Sequence, residues 1–168
     1  MSKRDPIKCA LWGMLVGNIE NMGILPALQG GEAIARCLEG EDVLERLAQI
    51  DGENNYEFIE KNGFKFVILK VCPFTPIYKD IPDWGERAMK LVEAYNKKPD
   101  GGGALHPLCL VHKGIRNAMG AGIISIACRS GSTGKIEVAE GALQKAGLSR
   151  DEAIQMIEGK ACLFAIKQ

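Results

Sequence analysis

Two runs of β-forming residues meet at an Asn-Gly pair, and this hairpin constrains the fold more than any other feature of the chain. Residues 56–60 and 64–71 flank Lys61-Asn62-Gly63, and Asn-Gly supplies the two positive-φ residues that a tight hairpin turn demands. Along the second run Phe64, Phe66, Ile68 and Cys72 fall on one side, and Val67, Leu69 and Val71 on the other. Side chains alternate along a strand, so a run apolar at both parities must be covered on both faces. Lys70 shares the side of Cys72.

The rest of the chain supplies the covering. Leu11, Met14, Leu15, Ile19 and Met22 recur at helical spacing within residues 7–22, with Gly23 as a stop, and a second helical region spans 32–50 with a break at Gly40. Two prolines in Cys72-Pro73-Phe74-Thr75-Pro76 end the strand, because proline lacks the ladder donor. Asp83 predicts a cap for a helix over 84–97. Pro99-Asp100-Gly101-Gly102-Gly103 then predicts a flexible connector able to hinge over a site. His106-Pro107 opens a helix running to 119. Residues 122–129 read as a strand, followed by a Gly/Ser/Thr turn, short helices over 136–146 and 150–158, and a closing strand over 161–166. This order predicts a single α+β domain, with a mainly antiparallel sheet of about four strands packed against helices. Its helical N-terminal part covers about 1–52 and its pocket part about 53–168.

At 168 residues one core suffices. Twenty-one basic residues balance 21 acidic ones, so no overall field draws the chain to nucleic acid or an anionic membrane. The apolar stretch 9–16 is too short for a membrane span and carries no cleavage site, which predicts a cytoplasmic protein. In that compartment six widely spaced cysteines are expected as free thiols or metal ligands, not as a disulfide framework.

Three of those cysteines fall at the ends of predicted elements: Cys72 before Pro73, Cys109 three residues ahead of His112, and Cys162 in the closing strand. Residues three apart on a helix share a face, so Cys109 and His112 can converge on one atom. With Cys72 and Cys162 they make a ligand set for zinc or an iron-sulfur cluster. The competing reading makes each cysteine a small core hydrophobe, most strongly Cys162 beside Leu163, Phe164 and Ile166. A second functional reading is thiol catalysis. Cys72 or Cys109 would be the nucleophile and His112 the base, with helix-start amides near His106 stabilising negative charge. No third, orienting group is identified, although Asp80, Asp83 and Glu86 lie in the connecting region. A third reading is a pocket for a small hydrophobic or aromatic ligand, walled by Phe74, Tyr78 and Trp84 with His106 at its rim, while Trp12 suits the core better.

Other signals point to ordinary structure. Gly131-Ser132-Thr133-Gly134-Lys135 lacks the first glycine and the hydroxyl residue of a phosphate loop, so it reads as a turn. Cys9 and Cys37 read as core, and Cys128, which shares a predicted strand face with Ile124 and Ile126, reads as a neighbour of the site or nothing more. No C-x-x-C-H marks covalent haem, and haem held by His112 or a cysteine stays open.

The order Cys72-Pro73-Phe74, then Pro107-Leu108-Cys109-Leu110-Val111-His112, then Gly159-Lys160-Ala161-Cys162-Leu163-Phe164-Ala165-Ile166 resembles a loose group of domains. The group includes the L-2-amino-thiazoline-4-carboxylic acid hydrolase family, the vinyl-reductase-like (V4R) small-molecule-binding domains and the sensor halves of iron-sulfur-binding regulators. The likeness covers about 64–168. It implies an α+β ligand or metal pocket with cysteines at its wall, often in a dimer, so that a homo-oligomer is expected, and for the hydrolase relatives ring opening at a C-N or C-S bond. No winged-helix half is recognisable, and residues 135–158 look like an insertion before the last strand.

Overall fold

The computed structural model describes residues 5–78, 85–120, 122–131 and 133–168, the side chains of Pro76 and Tyr78 excepted. Three helices come first: α1 (Pro6–Met22), α2 (Leu25–Ala35) and α3 (Val43–Asp51). Gly23 ends α1 at a φ of 84°. The predicted region 32–50 divides between α2 and α3, and Asp42 caps α3 by accepting from the Glu45 amide at 2.9 Å. The hairpin follows as β1 (Tyr56–Lys61) and β2 (Phe64–Leu69), with Asn62 and Gly63 at φ values of 54° and 76°. Both central residues of the turn thus take the left-handed conformation for which Asn-Gly is suited.

The chain continues through α4 (Thr75–Tyr78), α5 (Glu86–Asn96), α6 (Pro107–Met119), β3 (Ile123–Arg129), β4 (Ile136–Val138), α7 (Glu140–Ala146), α8 (Arg150–Met156) and β5 (Cys162–Lys167). The expected cap Asp83 lies outside the described residues. The helix predicted to begin at 136 is corrected: Ile136 and Val138 alternate around Glu137 and pair with Arg129 and Ala127 of β3. Cross-strand pairing therefore overrides local helical preference until Glu140. The turn before β4 is a hairpin connection, in which Ser130 donates to the Lys135 carbonyl and Gly134 to the Ser130 carbonyl.

The strands form one antiparallel sheet in the order β1-β2-β5-β3-β4. The last strand in sequence is central in space, between two hairpins. Both its faces are accordingly buried, and so are those of β2. Phe66, Ile68, Leu163 and Ala165 pack with Ala142, Leu143, Ala153 and Ile157 of α7, α8 and the residue after it. Val67, Leu69, Cys162 and Phe164 pack on the other side with Ile115 of α6, Leu47 of α3 and Ala35 of α2. A further apolar cluster joins Trp12 and Ile19 of α1, Val92 and Tyr95 of α5, and Leu110 and Val111 of α6. The sheet is thus sandwiched between helices on both faces, and α6 is the central element on one of them.

Two backbone features set what the site can be. Strand β3 carries a bulge, since Ser125 pairs with Phe164 and Ala127 with Leu163, leaving Ile126 as an extra residue. An extra residue reverses the alternation beyond it. Ile124 and Ile126 face α7 and α8, whereas Cys128 packs with Cys162 and Phe164 on the opposite face, which corrects the expectation that Cys128 shares a face with the two isoleucines. The glycine connector is likewise a packed segment instead of an open hinge. Residues 101–104 are buried, and the Asn96 side chain clasps Ala104 through a bond from Nδ2 to its carbonyl at 2.7 Å and from its amide to Oδ1 at 2.8 Å.

Helix α6 is held in place by a glycine crossing with α2. A Cβ on Gly31 would lie 2.0 Å from the Val111 carbonyl oxygen, and one on Gly114 would lie 2.1 Å from that of Leu28. Neither backbone can yield without moving its helix. Gly13 of α1, in contrast, has nothing within 4 Å. Gly114→Ala should therefore lower stability by on the order of 2 kcal/mol through overpacking. Gly13→Ala should raise it by about 0.5–1 kcal/mol through helix propensity. Chemical denaturation of the two variants checks the difference in sign.

Candidate functional site

A cavity of about 760 Å³ opens between the N-terminal half of α6, the segment after β2, the end of β3 and the start of β5. That volume lies within the span of roughly 300–1,000 Å³ usual for small-molecule sites. Four cysteines line it, Cys72, Cys109, Cys128 and Cys162, together with His106, His112 and Phe74. The four residues expected as a metal or catalytic set thus reach one cavity, but they do not gather on one atom. Among the described residues no group of three or more His, Cys, Asp or Glu side chains is disposed to hold a metal ion.

Instead, the residues divide into two clusters. The first is organised by Arg116, which is 2% exposed. Its guanidinium carbon stands 4.2 Å from the centroid of the Phe164 ring. Nη1 donates to Ser125 Oγ at 3.4 Å, and Nη2 lies 3.4 Å from Cys162 Sγ and 3.2 Å from Nδ1 of His112. The other ring nitrogen, Nε2, is 3.5 Å from the same Nη2. That nitrogen lies 2.7 Å from Oδ1 of Asp51, whose Oδ2 accepts from the Tyr56 hydroxyl at 2.7 Å. The result is a buried chain, Tyr56–Asp51–His112–Arg116–Cys162. Phe74 closes over it, its ring edge-on to His112 at 5.5 Å.

The second cluster sits at the start of α6. His106 is the N-cap, and its Nδ1 accepts from the Cys109 amide at 3.3 Å. Both ring nitrogens lie 3.4 Å from Cys109 Sγ. Cys109 therefore partners His106, and His112 points to Asp51 and Arg116. The expected convergence of Cys109 with His112 gives way to these two separate pairings. The clusters meet at Cys128, which hydrogen-bonds Cys109 and whose Sγ is 3.4 Å from that of Cys162.

Electrostatics follow from these contacts. Hydrogen bonding by Cys128, partly opposed by burial and reinforced by the Arg116 and His112 charges, lowers the Cys162 thiol to about 6. Burial pushes the Cys109 thiol up, but Cys128, His106 and the Leu105 backbone outweigh it and bring it well below the ordinary range. Hydrogen bonding with Cys109 and Cys162, together with burial, pushes the Cys128 thiol well above that range. It is the thiol between two incipient thiolates. Burial lowers Lys113, also on the wall, to about 8.

Of the residues expected at the wall, Phe74 and His106 are there, Trp84 lies outside the described residues, and so does the side chain of Tyr78. Trp12 is buried in the core as expected. Cys9 is half-buried on α1, and Cys37, expected in the core, is exposed on the turn after α2. Sequence reasoning missed Arg116 and Asp51, and left Cys128 as either a neighbour of the site or nothing more. Arg116 had a signal, since it follows Cys109 and His112 at helical spacing on one face of α6. Asp51 had none, because its approach to His112 depends on how α3 packs. No family model matches the chain, and neither does any curated protein or solved structure.

Burial pushes Asp51 up, but the charges and hydrogen bonds of His112, Arg116 and Tyr56 prevail and hold it below 3.8. A depressed carboxyl contributes stability that is complete above its unfolded value and is lost as pH falls through the folded one. Asp51→Asn should therefore destabilise the fold by roughly 1.5–3 kcal/mol at neutral pH, since His112 and the Tyr56 hydroxyl lose a charged partner. Below about pH 4 the gap to the wild type should narrow, and thermal melts across that range check it.

Proposed function

We propose that this chain is a small-molecule-binding domain of sensory or accessory type, and that its cavity takes a compact anion, a carboxylate above all. The observation that carries this reading is the charge of the wall. Lys70, Lys113, Arg116, Arg129, Lys135 and Lys160 line the cavity, and no Asp or Glu does among the described residues. Lys135 and Lys160 are offset by Glu137 at 3.0 Å and Glu57 at 2.5 Å, both outside the wall. Arg116 is different, since its buried Nε has no hydrogen-bond partner among the described residues. A buried donor without an acceptor is costly by roughly 1–3 kcal/mol.

The same wall weighs against zinc or an iron-sulfur cluster at Cys72, Cys109, His112 and Cys162. Binding there would bring a cation beside the buried guanidinium of Arg116 and take His112 from Asp51. A homo-oligomer fits the outer face of α1, where Ile7, Leu11, Met14 and Met22 are exposed. Among the described residues no helix is long and apolar enough to cross a membrane.

A second reading, hydrolysis of a small C-N or C-S heterocycle, is favoured by the Cys109–His106 pair. A lowered thiol at the N-terminus of a thirteen-residue helix, 3.4 Å from an imidazole, has the makings of a nucleophile with its proton carrier. The cationic wall would hold the substrate carboxylate, so both readings share one ligand chemistry.

Thermal denaturation with matched pairs of ligands tests the proposal. At about a hundredfold excess over its Kd, a cyclic amino-carboxylate should stabilise the fold by about 2.7 kcal/mol, and its carboxamide should not. Equal stabilisation by the neutral amide, or none by any small carboxylate, would contradict it. Turnover of a 2-aminothiazoline carboxylate that disappears in Cys109→Ala while binding persists would assign the second reading.

A further inference from the structure

Cys128 and Cys162 face each other across two strands at the cavity wall, a placement that neither a ligand pocket nor the Cys109–His106 pair requires. They are register partners of β3 and β5. The adjacent pair, Arg129 and Ala161, is joined by a backbone bond of 2.8 Å from the Arg129 amide. Cys128 and Cys162 therefore occupy a non-hydrogen-bonded position, where opposed side chains approach most closely and Cα atoms stand roughly 4.5 Å apart. That spacing lies inside the range of roughly 4.4–6.8 Å that a disulfide spans. The two sulfurs are already 3.4 Å apart, and Nη2 of Arg116 lies 3.4 Å from Cys162 Sγ.

We propose that Cys128 and Cys162 form a redox-active dithiol that reduces a small hydroperoxide admitted to the cavity and closes to an intramolecular disulfide. Cys162 is the attacking sulfur, since Arg116 stabilises its thiolate; Cys128 is the resolving one. The Cys162 thiolate attacks the distal oxygen of the hydroperoxide, the O–O bond breaks, and the alkoxide leaves with the electron pair and takes up a proton. Cys162 is then a sulfenic acid. Cys128 attacks its sulfur, the S–O bond breaks, and the hydroxyl leaves as water with the Cys128 proton. In sum, two thiols and one hydroperoxide yield a disulfide, an alcohol and water. Both sulfurs line the cavity, so closure needs no strand to move apart.

The test uses the full chain carrying Cys37→Ala, which removes the exposed thiol, reduced and then treated with one equivalent of hydrogen peroxide. Intact mass should fall by two hydrogens, peptide mapping should join Cys128 to Cys162, and a thiol reductant should restore the starting mass. In Cys128→Ser the same treatment should leave a sulfenic acid at Cys162 that dimedone captures. A disulfide joining Cys109 to Cys128, higher oxidation of Cys162 without a disulfide, or no reaction at either sulfur would overturn the proposal. Should Cys128→Ser fail to fold, the mapping with Cys128 intact decides the question alone.

Discussion

The structure depends on one buried positive charge. Arg116 lies in the middle layer of the molecule, between α6 and the central strand of the sheet, where an isolated ion is prohibitive. Three kinds of partner make it tolerable. Asp51 answers its charge through His112, the Phe164 ring offers its π face, and Cys162 offers a sulfur that the guanidinium turns toward the thiolate. Asp51 comes from α3 and both Phe164 and Cys162 from β5, with His112 of α6 in between, so the charge can be compensated only in the assembled fold. Arg116 thus ties the stability of the core to the chemistry of the cavity.

Positioning that charge falls to backbone geometry more than to side chains. The Gly31–Gly114 crossing lets α2 and α6 approach to backbone contact, which sets the depth of Arg116 over the sheet. The bulge at Ile126 turns Ser125 and Cys128 to the same face although they are three residues apart on a strand. Without it Cys128 would lie under α7 and α8. The buried Gly101–Ala104 segment, clasped by Asn96, then fixes the start of α6 and with it the His106–Cys109 pair.

Much of the scaffold was legible in the sequence because its signals are local. Asn62-Gly63 defines the hairpin, the double-sided apolar run of β2 defines a covered sheet, and His106-Pro107 opens α6. What escaped depended on contacts distant in sequence. Strand β4 exists because Ile136–Val138 finds an edge on β3, and the side of Cys128 is decided by a bulge that strict alternation does not anticipate. In the site, Cys72, Cys109, His112 and Cys162 do share a cavity, yet their pairings differ from those that spacing suggests. His112 is turned by Asp51, a residue at the end of a helix with no motif around it. The cationic character of the cavity was equally hidden, since 21 basic and 21 acidic residues balance in the whole chain and only folding segregates them.

If a buried guanidinium governs the cavity, its mark should be the ionisation of Cys162. Isotope-labelled cysteine Cβ resonances, followed by NMR from acid to mild alkali and assigned with Cys162→Ser, report it directly. The Cys162 signal is expected to titrate with a midpoint of about 6. A midpoint at or above the ordinary thiol value of roughly 8.5 would mean that Cys128 and Arg116 together do not hold the thiolate and that the cavity is not organised around it.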